Sequence, residues 1–110
     1  MDMTMDEYQV AALRTEPTYK EENHRLLNGA LGLAGEAGEV ADHAKKWYFQ
    51  GHALDPSAVM KELGDVMWYV ALCADFIGVT LGEIAQANIV KLETRYPDGF
   101  DPERSKNRED

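Results

Sequence analysis

LLNGALGLAGEAGEVADHAKKW, residues 26–47, is the stretch that decides the fold. Leu26, Ala30, Leu33, Ala37, Val40, Ala44 and Trp47 recur at intervals of 4, 3, 4, 3, 4 and 3, the a/d spacing of a helix packed along one seam. Gly29, Gly32, Gly35 and Gly38 run through the same stretch three residues apart. Each glycine costs roughly 1 kcal/mol against alanine inside a helix. Glycines kept in so regular a pattern point to close packing, room for a ligand, or a kink.

Toward the C-terminus, Gln50-Gly51-His52 ends this helix and Asp55-Pro56 opens the next, with Asp55 as N-cap and proline at the first helical position. Val59, Leu63, Val66, Val70, Cys73 and Ile77 then form a second seam, stopped by Gly78. Thr80 and Glu83 form a capping box for a last helix that Pro97 ends. Toward the N-terminus, Thr4 and Glu7 form another such box, with Met3 and Tyr8 placed as a hydrophobic staple, and Thr15, Pro17 and Thr18 break that helix. The expectation is a short helix at about 4–14, a loop at 15–21, and core helices at about 22–50, 56–77 and 81–96. Residues 98–110 are expected as a loose charged tail from which Phe100 packs back on the bundle. No strand-like alternation and no repeat occurs. The fold class is all-α: one domain, 1–110, a helical bundle built on a long antiparallel helix hairpin, of the oligomeric four-helix-bundle type.

A single domain of 110 residues buries a limited core, so a homo-dimer or homo-tetramer is expected. Apolar residues make up 45% of the chain, as in a globular protein. Cys73 is the lone cysteine, so no intrachain disulfide forms, and nothing resembles a signal peptide or a bilayer-spanning run. The expected location is cytoplasmic, with no membrane partner. A net charge of −9 argues against duplex nucleic acid held by phosphate contacts. It leaves open a small phosphorylated ligand bridged to acidic side chains by a metal ion.

Glu36 and Glu39 are spaced i, i+3, and so are Glu62 and Asp65. Such residues stack on one helix face. On the seam lettering, both pairs fall at g and c beside the d positions. Both lie about 13 residues from the turn at Gln50-Gly51, roughly 20 Å along a helix, so a hairpin brings them level. A lone pair of this kind is most often a solvated surface; two pairs in matched phase and level predict a four-carboxylate groove. The one-turn neighbours His43 and Tyr69 are not strong cations at neutral pH. Hard oxygen ligands suit Mg²⁺, Mn²⁺ or Ca²⁺, whereas a di-iron site would want a Glu-x-x-His that is missing. In the last helix Leu81, Ala85, Asn88, Leu92 and Arg95 share a stripe flanked by Lys91, which reads equally as an anion-holding face or as ordinary surface charge.

Gly35-Glu-Ala-Gly-Glu-Val40, a spacer of 22 residues after Glu39, Lys61-Glu-Leu-Gly-Asp-Val66, and Asn88-x-x-Lys91-x-x-x-Arg95-Tyr-Pro-x-Gly-Phe100 together resemble the MazG-like nucleoside triphosphate pyrophosphohydrolases. The resemblance covers roughly residues 25–108. It implies an all-α oligomer that hydrolyses an NTP or dNTP to the monophosphate and pyrophosphate with Mg²⁺, for which Mn²⁺ would substitute. Glu36, Glu39, Glu62 and Asp65 would then be metal ligands and the catalytic set, with Glu39 assigned to the attacking water. Asn88, Lys91, Arg95 and Tyr69 would contact the nucleotide. Gly35 stands where many members carry a further acid. Trp47, with Tyr48 and Phe49, is placed to stack on a base, and His24 and Asn28 to read its edge, although core packing is the commoner expectation for both Trp47 and Trp68, and solvent for His24. The alternative is a non-catalytic helical oligomerisation or regulatory module whose acids merely face solvent.

Overall fold

The computed structural model describes residues 2–108. The helices are α1 (Met5–Leu13), α2 (Asn23–Phe49), α3 (Pro56–Phe76), α4 (Leu81–Arg95) and α5 (Pro102–Lys106), and no strand is present among the described residues. The all-α class follows from the caps as much as from the seams. Thr4 and Thr80 each accept from the backbone N–H three residues on, while Glu7 and Glu83 reach back to them. Asp55 accepts from the N–H groups of Ser57 and Ala58. Gly51 and Gly78 end α2 and α3 with φ of 70° and 81°, a region that favours glycine.

α2 and α3 form the main packed pair, with partners that descend along α3 as they ascend along α2. Arg25 meets Asp75, Gly29 lies against Cys73 and Leu72, Gly32 against Tyr69, and His43 beside Glu62. The side of α2 turned to α3 therefore carries Arg25, Gly29, Gly32, Glu36 and His43. This differs from the expected apolar seam by one residue, about 100° round the helix. Leu26 is 39% and Trp47 51% exposed, and Ala30, Ala37 and Ala44 are exposed as well. The reason lies in the glycines: a Cβ on Gly29 would stand 2.6 Å from Cys73 Sγ, and one on Gly32 would overlap the Tyr69 ring. The glycine edge admits α3 closely, and of the expected seam only Leu33 and Val40 are half-buried while the rest is exposed. Gly35 and Gly38 have open space beside them.

The buried core lies beside the Gly29 contact, where Ala71 and Ala74 of α3 meet Leu81 of α4, with Tyr8 and Leu13 of α1 packed against them. Gln9 is buried there and fully used. Its Nε2 donates to the carbonyls of Ala71 and Val79, both at 3.2 Å, and its Oε1 accepts from Leu81 N–H at 2.9 Å. Asp6 accepts from Gly82 N–H at 2.8 Å. With Thr80 on Glu83 N–H, the first three amides of α4 are all satisfied, two of them by α1. The tail departs from expectation: Asp101 caps Pro102–Lys106 as a short helix, and Phe100, 73% exposed, stacks only on Tyr96 at 5.2 Å instead of packing back on the bundle. No single helix among the described residues is long and apolar enough to cross a membrane.

Candidate metal centre

Glu36 lies one turn beyond Gly32, on which the Tyr69 ring of α3 sits, and the glycine contacts fix which residues of α3 face it. These are Glu62 and Asp65. One carboxylate oxygen from each of Glu36, Glu62 and Asp65 lies within 4.8 Å of the others. The Glu36 carboxyl is pushed above the usual carboxylate range, first by its hydrogen bond with Glu62, then by partial burial and by the charges of Asp65, Glu62 and Glu39. Like charges crowded in this way mark where a cation would be favoured. Lysines nearby do not neutralise the group, because Lys46 and Lys45 pair with Asp42 at 2.9 and 3.7 Å. The donor set is all carboxylate oxygen, which fits Mg²⁺ or Mn²⁺ rather than zinc.

Glu39 is exposed and is not among the three clustered acids, though its charge still acts on Glu36. His43 takes a place that its sequence reading as a weak cation did not specify, with Nε2 3.7 Å from Glu62 Oε1. The available signal was spacing, since residue 43 is two turns from Glu36 on the same face.

Tyr69 sits on Gly32, and its ring meets that of Trp68 edge-on at 5.1 Å. Together with Thr15, Glu36 and Asp65 these aromatics line a cavity of about 320 Å³. Trp68 is thus a wall residue, not the core residue expected. Its indole N–H donates to Ala12 O at 2.9 Å and to Thr15 Oγ1 at 3.0 Å. From α1, Tyr8 donates a long hydrogen bond of 3.5 Å to Gly64 O, and its phenol is pushed up by burial and then by Asp65.

The remaining expected contacts are not brought to the acids within one chain. Asn88 and Lys91 line a separate, largely apolar cavity of about 540 Å³ with Met5, Val70, Leu81 and Ile84. Arg95 ends α4, where its carbonyl accepts from Arg104 at 3.4 Å. Trp47 is half-exposed against Tyr48. Asn28 donates to the Tyr19 hydroxyl at 3.0 Å and His24 pairs with Glu21 at 3.5 Å, so both are occupied locally.

Residues 25–100 match the model of the MazG nucleotide pyrophosphohydrolase domain. The chain is 35% identical over 105 residues to the "Gene 37 protein" of Mycobacterium phage L5, covering 88% of this chain and 92% of that one. No solved structure matches it. The matched span takes in the acids of α2 and α3 and the polar face of α4, and it leaves α1 outside. On that span, the chain belongs to the MazG nucleotide pyrophosphohydrolase family.

Proposed function

We propose that the protein is a Mg²⁺-dependent pyrophosphohydrolase that converts an NTP or dNTP to the monophosphate and pyrophosphate, working as a cytoplasmic homo-oligomer in nucleotide-pool house-cleaning. The observation that carries this reading is the convergence of Glu36, Glu62 and Asp65, with the Glu36 carboxyl raised by its acidic neighbours. These residues would hold the divalent cation, with Mn²⁺ as a substitute. Once bound, the cation supplies charge neutralisation and Lewis acidity at the phosphates. Glu39, exposed one turn from Glu36, is assigned to accept a proton from the attacking water. The water oxygen bonds to the α-phosphorus, the bond from that phosphorus to the α,β-bridging oxygen breaks, and pyrophosphate leaves. His43 steadies Glu62 from the outer edge.

Asn88, Lys91 and Arg95 are assigned to the phosphates. In one chain Asn88 and Lys91 line a different cavity from the acids, so the reading takes a second copy to bring this face of α4 to the groove. The uncovered seam of α2 supports such an oligomer built on the α2–α3 hairpin. Neither duplex nucleic acid nor a membrane enters this function.

The test is a panel of common and base-modified NTPs and dNTPs incubated with Mg²⁺ or Mn²⁺, read for pyrophosphate. Release from at least one, abolished by chelator, is expected. A silent panel would leave the non-catalytic module as the better account.

A further inference from the structure

Two unlike sets of residues line the cavity beside the acids: the carboxylates Glu36 and Asp65, and an aromatic side formed by Trp68 and Tyr69 with Thr15. Its volume of about 320 Å³ lies at the low end of small-molecule sites, roughly 300–1,000 Å³. Phosphates bridged by a cation belong on the acidic side. Whatever is joined to those phosphates must then lie along the aromatic side.

The polar atoms of Trp68 and Thr15 are already committed. The Trp68 N–H is shared between Ala12 O and Thr15 Oγ1. The Thr15 hydroxyl donates to Ala12 O at 2.8 Å. What Trp68 offers a ligand is therefore ring surface and not a hydrogen bond. The wall is also held still. Glu16, next to Thr15, is gripped through both carboxylate oxygens by Arg25, Nε to Oε2 at 2.7 Å and Nη2 to Oε1 at 3.1 Å, and Arg25 reaches Asp75 of α3 at 2.6 Å. Ala12, Thr15 and Glu16 all precede the span that matches the family model.

We propose that this cavity is the nucleoside subsite of the enzyme and that Trp68, pinned by Ala12 and Thr15, is the surface on which the base stacks. Stacking of this kind accepts any base, because every base has a π-face, and it adds affinity without reading the base edge. Trp68 then sets KM for all bases together, and Thr15 is a positioning residue acting through the indole. The proposal rests on the pyrophosphohydrolase reading.

The test uses α,β-methylene dNTPs of adenine, cytosine, guanine and thymine, whose scissile bond is blocked, so that binding is read apart from turnover. The chain has 2 tryptophans, and Trp47→Phe leaves Trp68 as the sole emitter. With Mg²⁺, all four analogues are expected to change its emission saturably, and tripolyphosphate is expected to leave it unchanged. In kinetics on any hydrolysed dNTP, Trp68→Leu should raise KM about ten- to hundredfold with kcat within a few-fold, to a similar degree across bases. Trp68→Phe, which keeps a ring, and Thr15→Val should raise KM less. Emission unmoved by every analogue, an equal response to tripolyphosphate, or a folded Trp68→Leu with unchanged KM would overturn the subsite. If Trp68→Leu does not fold, Trp68→Phe and the emission titration decide. Saturable emission changes in a protein that hydrolyses no triphosphate would keep the subsite and sink the hydrolase.

Discussion

Glu62 sits between Glu36 and His43, sharing a hydrogen bond with the first and lying 3.7 Å from the second. Replacing it with glutamine keeps its shape and removes one negative charge. Glu62→Gln is expected to abolish turnover while leaving helix content by circular dichroism unchanged; loss of folding would make Glu62 a structural residue. The raised carboxyl of Glu36 has a definite sign. Its contribution to stability is present below the ordinary carboxylate range and is lost as pH rises through its raised value. Without metal, Glu36→Gln should therefore gain stability relative to the parent as pH rises from acid to neutral, in paired thermal melts. A difference that does not change with pH would contradict it. At this scale the sequence was informative wherever one helix period sufficed. Glu36, Glu62 and Asp65 come together as their matched level about the turn predicts, whereas Glu39, which the same spacing argument placed in the groove, stays outside the cluster. Trp68 was misread as core because its role depends on Ala12 and Thr15, more than fifty residues earlier in the chain.

Between elements, two contacts decide where the site residues stand. Gly32 lets Tyr69 lie directly on the α2 backbone. Gly32→Ala must displace that ring or part the helices. It should destabilise by about 1–3 kcal/mol, less roughly 1 kcal/mol of improved helix propensity. It should also raise KM through the shifted aromatic wall; unchanged KM would separate Tyr69 from substrate. Gln9 ties α1 to the end of α3 and the start of α4 by three hydrogen bonds. Gln9→Ala removes all three bonds, leaves the buried Leu81 N–H without its partner, and should cost about 1–3 kcal/mol in urea unfolding. The helices themselves were legible because their caps are written in neighbouring residues: Thr4 with Glu7, Asp55 with Pro56, Thr80 with Glu83. Asp101-Pro102 carries the same signal as Asp55-Pro56, yet the charge of the tail masked it. The packed face of α2 was not legible, since an apolar seam and a glycine edge one residue apart both look like interfaces. Only the position of Tyr69 and Cys73 shows which one α3 uses.

Over the whole molecule, an accessible surface of 8244 Å² exceeds the roughly 6,100 Å² expected for a compact monomer of this mass. The radius of gyration, 17.1 Å, exceeds the roughly 13 Å typical of this length. Both fit the proposed oligomer, in which another copy would cover the largely exposed α2 seam. Light scattering should give a dimer or larger, with a melting temperature that rises with protein concentration. A monomer with concentration-independent melting would refute this. If the α4 face serves a neighbour's groove, mixing Glu62→Gln with Lys91→Ala should restore activity to about a quarter of the parent in randomly re-paired dimers. If both residues serve one chain's site, mixing restores nothing. Which residues meet across copies depends on a docking geometry that no periodicity encodes, so the sequence could offer Asn88, Lys91 and Arg95 but not their destination. The most direct measurement of the central claim is hydrolysis of a dNTP in ¹⁸O-water with Mg²⁺. The account predicts the label in the nucleoside monophosphate, with unlabelled pyrophosphate as the other product. Label in pyrophosphate or orthophosphate, or no hydrolysis of any nucleotide, would contradict it.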